Sequence, residues 1–185
     1  MRITIGIPCN RQFKSKTVLS LMEMTAYSKY ELEIIISTEG FNTAENRMYI
    51  ATQAIKKGCT HLLLTDDDMV YEKDTLEKLV AHKKDIVGVA GNVRRLPTSL
   101  VIEYLDDEKS ETEIFKCKAI GGAMLLIDLK VFHLIKKPWF WYELKDDSMV
   151  SMSNDWWFCR QARKAGFDIW CDPTITLKHI GDYEF

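Results

Sequence analysis

The chain has few of the residues that interrupt or cross-link a fold. It holds 9 glycines and 4 prolines among 185 residues, without a proline- or glycine-rich linker and without an internal repeat. Its 5 cysteines are odd in number, widely spaced and contain no C-x-x-C pair, which argues against a disulfide framework and a zinc site. We therefore expect one continuous domain with reduced, mostly buried thiols.

Long apolar runs and blocks of a single charge are also absent. No run approaches the roughly 20 apolar residues that span a bilayer, and a strand pattern begins at Arg2 in place of a signal peptide. The 25 basic and 27 acidic residues are spread along the chain and give a net charge of −2. Since no basic patch could neutralise a phosphate backbone, we expect no nucleic-acid partner. From the lack of long apolar runs and of a signal-peptide pattern, we expect no transmembrane segment and a cytoplasmic location.

What is present is a regular alternation of short apolar runs with helical patterns. In the first half this alternation predicts βαβ units and a mostly parallel sheet, so we expect a Rossmann-like α/β fold. The second half predicts a smaller, antiparallel portion. The predicted strands cover residues 2–7, 32–37, 61–65, 86–90, 92–95, 100–104, 113–119, 123–127 and 168–171. The predicted helices cover residues 15–26, 43–57, 73–82 and 154–165.

The strongest chemical signal is H-L-L-L-T-D-D-D-M at residues 61–69, an apolar strand that ends in three carboxylates. Such a strand is buried, so the acids should emerge at the carboxyl edge of the sheet, where open α/β sheets bind ligands. Three adjacent negative charges repel one another unless a cation neutralises them. If the extended conformation persists, Asp66 and Asp68 point to one side and Asp67 to the other. These oxygen ligands suit Mg²⁺ or Mn²⁺ bridging a diphosphate.

Two other interpretations of the acids are open to the sequence. They could form a solvated turn that caps a following helix, which the apolar strand before them disfavours. They could also begin an EF-hand loop, but its sixth position would be Tyr71 where that loop needs glycine.

Four segments, in the right order, resemble the GT-A glycosyltransferases, particularly the inverting family 2 type and their small phage, viral and bacterial relatives. They are I-G-I-P-C-N at 5–10, N-R at 46–47, D-D-D at 66–68, and a final group of N-D-W-W-F-C-R at 154–160, A-G-F-D-I-W-C-D-P at 165–173 and H-I-G at 179–181. The final group resembles the family's E-D-x-x-F-C…A-G…D-P…H-x-G ending and is more specific than a lone D-x-D. The resemblance implies a single GT-A domain, with residues 1–90 as its nucleotide-binding half and residues 91–185 as its acceptor-side half.

The resemblance also implies a chemistry: a sugar passes from a nucleotide-sugar donor, with a UDP-sugar favoured, to a carbohydrate hydroxyl. Asp155 would be the general base, and Mn²⁺ or Mg²⁺ would stabilise the leaving diphosphate. The cation ligands would be Asp66, Asp68 and His179. The donor contacts would be Pro8, Asn10, Arg47, Asp66, Asp67, Gly121 and Gly122.

Each of these roles has a structural alternative. Asp155 could simply favour the positive end of its helix, and His179 could be an ordinary half-buried histidine. Arg47 could lie on a helix surface, and the pair Gly121-Gly122 could form a bulge instead of letting backbone approach the donor. Arg94 and Arg95 could likewise be a solvated strand pair. Asn154 departs from the family, because an acidic residue usually precedes the base there.

Three functions compete with an inverting transferase. In a retaining transferase of the same fold, Asp155 would orient the substrate without acting as a base. A catalytically silent module would bind the nucleotide sugar without turnover. A sugar-phosphate nucleotidyltransferase would need a glycine-rich loop after the first strand, and residues 8–12 contain no glycine.

Overall fold

Strands and helices alternate along the first half of the chain, as the sequence pattern predicts. The computed structural model describes residues 1–9, 12–94, 97–105, 109–146 and 149–181. The strands are β1 (Arg2–Pro8), β2 (Glu31–Ser37), β3 (His61–Thr65), β4 (Met69–Tyr71), β5 (Ile86–Gly88), β6 (Ile102–Tyr104), β7 (Phe115–Ile120), β8 (Met124–Asp128), β9 (Glu143–Leu144), β10 (Val150–Met152), β11 (Ile169–Cys171) and β12 (Leu177–His179). The helices are α1 (Ser15–Tyr27), α2 (Thr43–Lys56), α3 (Thr75–Ala81), α4 (Lys130–Leu134) and α5 (Asn154–Lys164).

One 8-stranded sheet organises the molecule, in the order β2-β1-β3-β8-β5-β11-β7-β6. The strands β1, β2 and β3 are parallel, whereas β8 pairs antiparallel with both β3 and β5. The strand β11 is parallel to β5, and β7 is antiparallel to both β11 and β6. Six strands therefore run in one direction, with only β7 and β8 reversed, which confirms the predicted Rossmann-like α/β fold with a mostly parallel sheet.

Helices cover both faces of this sheet, because almost every residue of its central strands β1, β3, β8 and β5 is buried. In β1, Ile3, Ile5 and Ile7 pack towards α1 and α3, and on the opposite face α2, α4 and α5 pack on Leu62, Leu64 and their neighbours. Gly6 lies on that second face, where a Cβ would overlap the Ile50 side chain and lie 3.0 Å from Leu62. Glycine at this position lets α2 approach β1 closely.

The second half differs from its prediction in detail. The strands β6 and β7 form the far edge of the main sheet, and Asn92 makes an isolated bridge with Leu100 where a strand was expected. The pairings of β4 with β12 and of β9 with β10, and the short helix α4, have no counterpart among the predicted elements. Because β4 begins at Met69, the acids precede a strand, and the alternative of a turn that caps a helix is wrong.

Within the described part of the chain, no helix combines the length and apolar character that a membrane crossing requires.

Candidate functional site

The three acids lie where β3 leaves the carboxyl edge of the sheet, as predicted. Asp66 follows Thr65 directly, but the chain turns at Asp67 and Asp68 before β4 begins. The extended alternation expected for the acids therefore does not persist, and each carboxylate has its own surroundings. The turn is held from outside, since the Lys14 N–H at the start of α1 donates to the Asp67 carbonyl at 3.1 Å.

Asp68 and His179 meet because β12 pairs with β4. This ladder sets His179 opposite Met69, and the Ile180 N–H donates to the Asp68 carbonyl at 2.9 Å. The His179 Nε2 atom lies 3.2 Å from Asp68 Oδ1, and its Nδ1 atom lies 2.7 Å from the Asn92 carbonyl oxygen. Since a carbonyl can only accept, Nδ1 carries a proton and Nε2 faces the carboxylate.

This pair is strongly polarised. The hydrogen bond to Asp68 raises the pKa of His179 above its ordinary value, in spite of the burial that lowers it. For Asp68, burial raises the pKa, but the hydrogen bond and charge of His179 and the charge of Arg94 outweigh it, so the net shift is downward. The Arg94 guanidinium, which is 56% exposed, lies 2.9 Å from Asp68 Oδ2. Asp68 is thus an ionised, buried carboxylate with one exposed cationic partner that can move away.

The chemistry of this donor set fits a divalent cation. A histidine that ligates a metal usually donates its other ring N–H to a carbonyl or carboxylate, as His179 does to Asn92. With Nε2 deprotonated, Asp68 and His179 would offer an oxygen and a nitrogen side by side. In the described residues no group of three or more histidine, cysteine, aspartate or glutamate side chains is placed to hold a metal, so the remaining ligands would have to be substrate oxygens and water.

Asp66 belongs to a second cluster, around the guanidinium of Arg47. The Arg47 side chain is 3% exposed; it donates from Nη2 to Asp66 Oδ1 at 2.9 Å and from Nη1 to Asn154 Oδ1 at 2.6 Å. Burial lowers the pKa of Arg47, but the carboxylates of Asp66 and Asp155 raise it by more, so the group stays charged. The alternative that Arg47 is a surface residue is wrong, and its predicted contact with the donor stays a prediction.

Asp155 lies in the first turn of α5 with its carboxylate fixed by several donors. The Gly122 N–H donates to Oδ2 at 3.1 Å, and the Trp156 N–H and the Ser153 hydroxyl donate to Oδ1. Arg47 Nη1 lies 3.9 Å from Oδ2. The side chain is 15% exposed, so part of the carboxylate remains accessible. Asn154, the departure from the family pattern, serves as the acceptor for Arg47 and donates to the Tyr142 hydroxyl at 3.1 Å.

Gly122, which lies just before β8, packs against the guanidinium of Arg47. A Cβ built at Gly122 would lie 2.6 Å from the Arg47 Cζ atom and 2.7 Å from both terminal nitrogens. The guanidinium therefore lies flat against this glycine. Gly121 packs similarly on Val101, whose carbonyl accepts from the Gly121 N–H at 3.0 Å. Both glycines are buried and closely packed within the protein, and their predicted contact with the donor stays a prediction.

Two further predicted residues, Pro8 and Asp67, lie around the end of β1. Pro8 ends that strand and is buried, and Asp67 is close enough to form a side-chain hydrogen bond with Cys9. Burial and the neighbouring acids raise the pKa of Asp67, against the effect of Cys9. Asn10 and Arg95 lie outside the described residues.

Three residues that the sequence alone does not single out belong to the site. The Ser153 hydroxyl bonds to Asp155, the Tyr142 hydroxyl accepts from Asn154, and the Asn92 backbone carbonyl contacts His179. Serine, tyrosine and asparagine are common and carry no motif of their own. Trp139 packs in the core against Phe132, whereas Trp141 is 47% exposed.

A pocket of about 440 Å³ opens at the same edge of the sheet, beyond β5 and β11. Its wall includes Tyr104 and Phe115, whose rings stack with centroids 5.9 Å apart. Asn92 also lines it, so the pocket adjoins the Asp68–His179 cluster.

The sheet order is that of a Rossmann-like α/β domain, and its likenesses to solved structures support a GT-A-like fold. A solved structure of A197 from STIV matches with a TM-score of 0.66 and 17% identity, over 98% of this chain and 87% of that chain. The structure of S. aureus TarS 1-349 in complex with UDP-GlcNAc matches with a TM-score of 0.60 and 14% identity, over 100% of this chain and 60% of that one. The inositol-1-phosphate CTP transferase from T. maritima matches with a TM-score of 0.52 and 11% identity, over 97% of this chain and 88% of that one.

These likenesses concern the fold, because all of the identities are low. This chain spans about 60% of the length of the TarS structure. No protein-family model and no curated protein matches the sequence.

Proposed function

We propose that the chain is a metal-dependent glycosyltransferase that moves a sugar from a nucleotide-sugar donor, with a UDP-sugar favoured, to a carbohydrate hydroxyl with inversion. One observation carries this proposal: Arg47 joins Asp66, at the end of β3, to Asp155, at the start of α5. In this proposal an acid for the donor side and a base for the acceptor side lie at the same edge of the sheet. The TarS structure in complex with UDP-GlcNAc has a similar fold.

Asp155 would take the proton of the acceptor hydroxyl on its carboxylate. Its two oxygens are held by backbone and hydroxyl donors, so the group is already oriented before a substrate arrives. Asp66 and Asp67, beside the end of β1, would contact the donor. Asp68 and His179 would hold Mn²⁺ or Mg²⁺, which when bound supplies Lewis-acid stabilisation of the leaving diphosphate.

The pocket beside Asn92 is the proposed acceptor region. Tyr104 and Phe115 contribute aromatic surface to the wall of this pocket, against which a sugar ring would pack, and the pocket adjoins the cation residues through Asn92. We expect Tyr104→Ala to raise the KM for the acceptor and to leave the affinity for UDP unchanged.

The five cysteines, all buried and without disulfides, favour a cytoplasmic location.

The proposal is tested by incubating the full chain with UDP-sugars and GDP-sugars in the presence of Mn²⁺, Mg²⁺ or a chelator. Binding at a ligand concentration of about 100 Kd stabilises the folded state by about 2.7 kcal/mol. For a chain of this length, that corresponds to a rise in Tm of about 5–10 °C. Release of UDP with transfer to an oligosaccharide would support the proposal, and the anomeric configuration of the product separates inversion from retention. A cation-dependent shift without any turnover would favour the silent binding module.

A nucleotidyltransferase is the second candidate, because the T. maritima CTP transferase shares the fold. It ranks lower, since the segment after β1 lacks the glycines of a phosphate loop. Release of pyrophosphate from CTP or UTP with a sugar phosphate, in place of UDP from a UDP-sugar, would reverse this order.

A further inference from the structure

The buried arginine at the centre of the site has no access to a ligand. Arg47 is 3% exposed, so its charge depends on the protein groups around it. Each of its terminal nitrogens donates to a protein oxygen: Nη2 to Asp66, and Nη1 to Asn154 at 2.6 Å. Its Nε atom is buried and has no hydrogen-bond partner within the described residues. A guanidinium enclosed in this way offers no edge to a nucleotide.

The same contacts join three separate elements. The Arg47 backbone belongs to α2, Asp66 follows β3, and Asn154 begins α5. Because the guanidinium is planar and rigid, its two terminal nitrogens fix the distance between the end of β3 and the start of α5. A flexible ammonium group could hold either side, but it could not hold both in one geometry.

Gly122 extends this arrangement to the carboxylate of Asp155. The guanidinium lies against Gly122, and the Gly122 N–H donates to Asp155 Oδ2. Removing the guanidinium would leave a gap beneath the Gly122 peptide and would remove the charge 3.9 Å from the same oxygen. The Gly122 contact and the carboxylate orientation should then loosen together.

We propose that Arg47 is a positioning residue, which fixes the Asp155 carboxylate relative to Asp66 and does not itself bind the nucleotide. This inference rests on the proposed function, in which Asp155 takes the acceptor proton and Asp66 faces the donor. It differs from the direct donor contact that the family resemblance implies for Arg47.

The experiment uses the full chain with Arg47→Met, which keeps the length but removes the charge, and Arg47→Lys, which keeps the charge but not the fork. The matched control is Arg2→Met, because Arg2 also pairs with two carboxylates, Glu31 and Glu33, but at the opposite edge of the sheet. Three quantities are measured: amide hydrogen exchange at Gly122 and Trp156 by NMR, the Kd for UDP with Mn²⁺ by calorimetry, and kcat and KM for transfer.

For Arg47→Met we expect exchange at Gly122 and Trp156 to be at least tenfold faster, the Kd for UDP to stay within about threefold, and kcat to fall about 100-fold, as a misplacement of about 1 Å can cause. Arg47→Lys should lie between this variant and the wild type, and Arg2→Met should match the wild type in kcat and in exchange at both amides.

The inference is overturned if exchange at both amides is unchanged, or if the Kd for UDP rises tenfold or more while kcat at saturating donor is kept. If Arg47→Met does not fold, the same measurements on Arg47→Lys decide. A wild-type chain that neither binds nor turns over any nucleotide sugar refutes the proposed function, and the exchange data then still decide separately whether Arg47 orders the start of α5.

Discussion

Replacing Gly122 by alanine tests the packing of the site without removing any of its charged groups. The new Cβ would lie 2.6 Å from Arg47 Cζ, whereas ordinary van der Waals contact begins near 3.4 Å. The guanidinium must therefore shift by about 0.8 Å, the difference between these distances. Its hydrogen bonds to Asp66 and Asn154, at 2.9 and 2.6 Å, cannot both keep their geometry after such a displacement, so we expect one of them to be lost.

The cost follows from these two effects. Overpacking costs about 1–3 kcal/mol, and loss of one hydrogen bond to a charged group costs about 1.5–3 kcal/mol. Allowing for relaxation, we expect Gly122→Ala to lower the free energy of unfolding by about 2–4 kcal/mol. Transfer should fall at the same time, because the Gly122 N–H also orients Asp155.

Equilibrium urea unfolding, followed by tryptophan fluorescence, measures the change in stability. The matched control is Gly91→Ala, since a Cβ there would meet Met69, Leu177 and Ala123 at ordinary distances of 3.4–3.8 Å. If the free energies of unfolding of Gly122→Ala and Gly91→Ala agree within about 0.5 kcal/mol, the Arg47 guanidinium does not lie against Gly122.

Three further predictions concern the chemistry and the charge of the site. Asp155→Asn should lower transfer about 10²- to 10⁴-fold with the Kd for UDP within a few-fold, and transfer close to that of the wild type would favour the retaining alternative. With UDP bound, Mn²⁺ should raise the Tm of the wild type further, and Asp68→Ala should abolish this additional rise. An unchanged rise in the variant would place the cation elsewhere. Burial raises the pKa of Asp172, but hydrogen bonds from Thr174 and His82 lower it by more, so the pKa of the folded state is below its ordinary value. The stability that ionised Asp172 contributes to the fold is therefore fully present above the unfolded pKa of about 3.9 and is lost as the pH falls through the folded value. Asp172→Asn should therefore flatten the acid limb of the stability curve measured by urea unfolding, and an equally steep limb would contradict this.

The parts of the site that the sequence predicts are those with a local cause. The strand at residues 61–65 has three consecutive leucines, which predict a buried strand, so the emergence of Asp66 at the carboxyl edge follows from the pattern alone. The direction in which each acid points cannot be predicted from the pattern, because it depends on a turn at residues 67–68, and no glycine or proline beside the acids predicts that turn. The short strands β4 and β12, at 3 residues each, are likewise too short for a periodic signal.

Contacts between distant residues account for the rest. His179 reaches Asp68 only because β12 pairs with β4, and Arg47 reaches Asn154 across 107 positions of the chain. A buried arginine has the same local sequence pattern as an exposed one, so its role becomes visible only when its partners are placed. The resemblance identified Arg47, Asp155 and His179 as candidates, and the fold shows which groups hold them.

The charge at this edge of the sheet gives a physical reason for a divalent cation. Among the described residues of the two clusters and the acidic turn, four carboxylates face three cationic groups, counting His179 as protonated beside Asp68, which gives these seven groups a net charge of about −1. The carboxylates are Asp66, Asp67, Asp68 and Asp155, and the cationic groups are Arg47, Arg94 and His179.

A nucleoside diphosphate would meet repulsion at such an edge, since two like charges 4 Å apart near a protein surface interact by about 4 kcal/mol at an effective dielectric constant of 20. A divalent cation that takes the place of the His179 proton changes the local charge from about −1 to about 0. The exposed Arg94 would then be released from Asp68 and could turn towards the phosphates. With the proposed function, this arrangement of acids predicts that donor binding depends on the cation, even though Asp66 is already paired with Arg47.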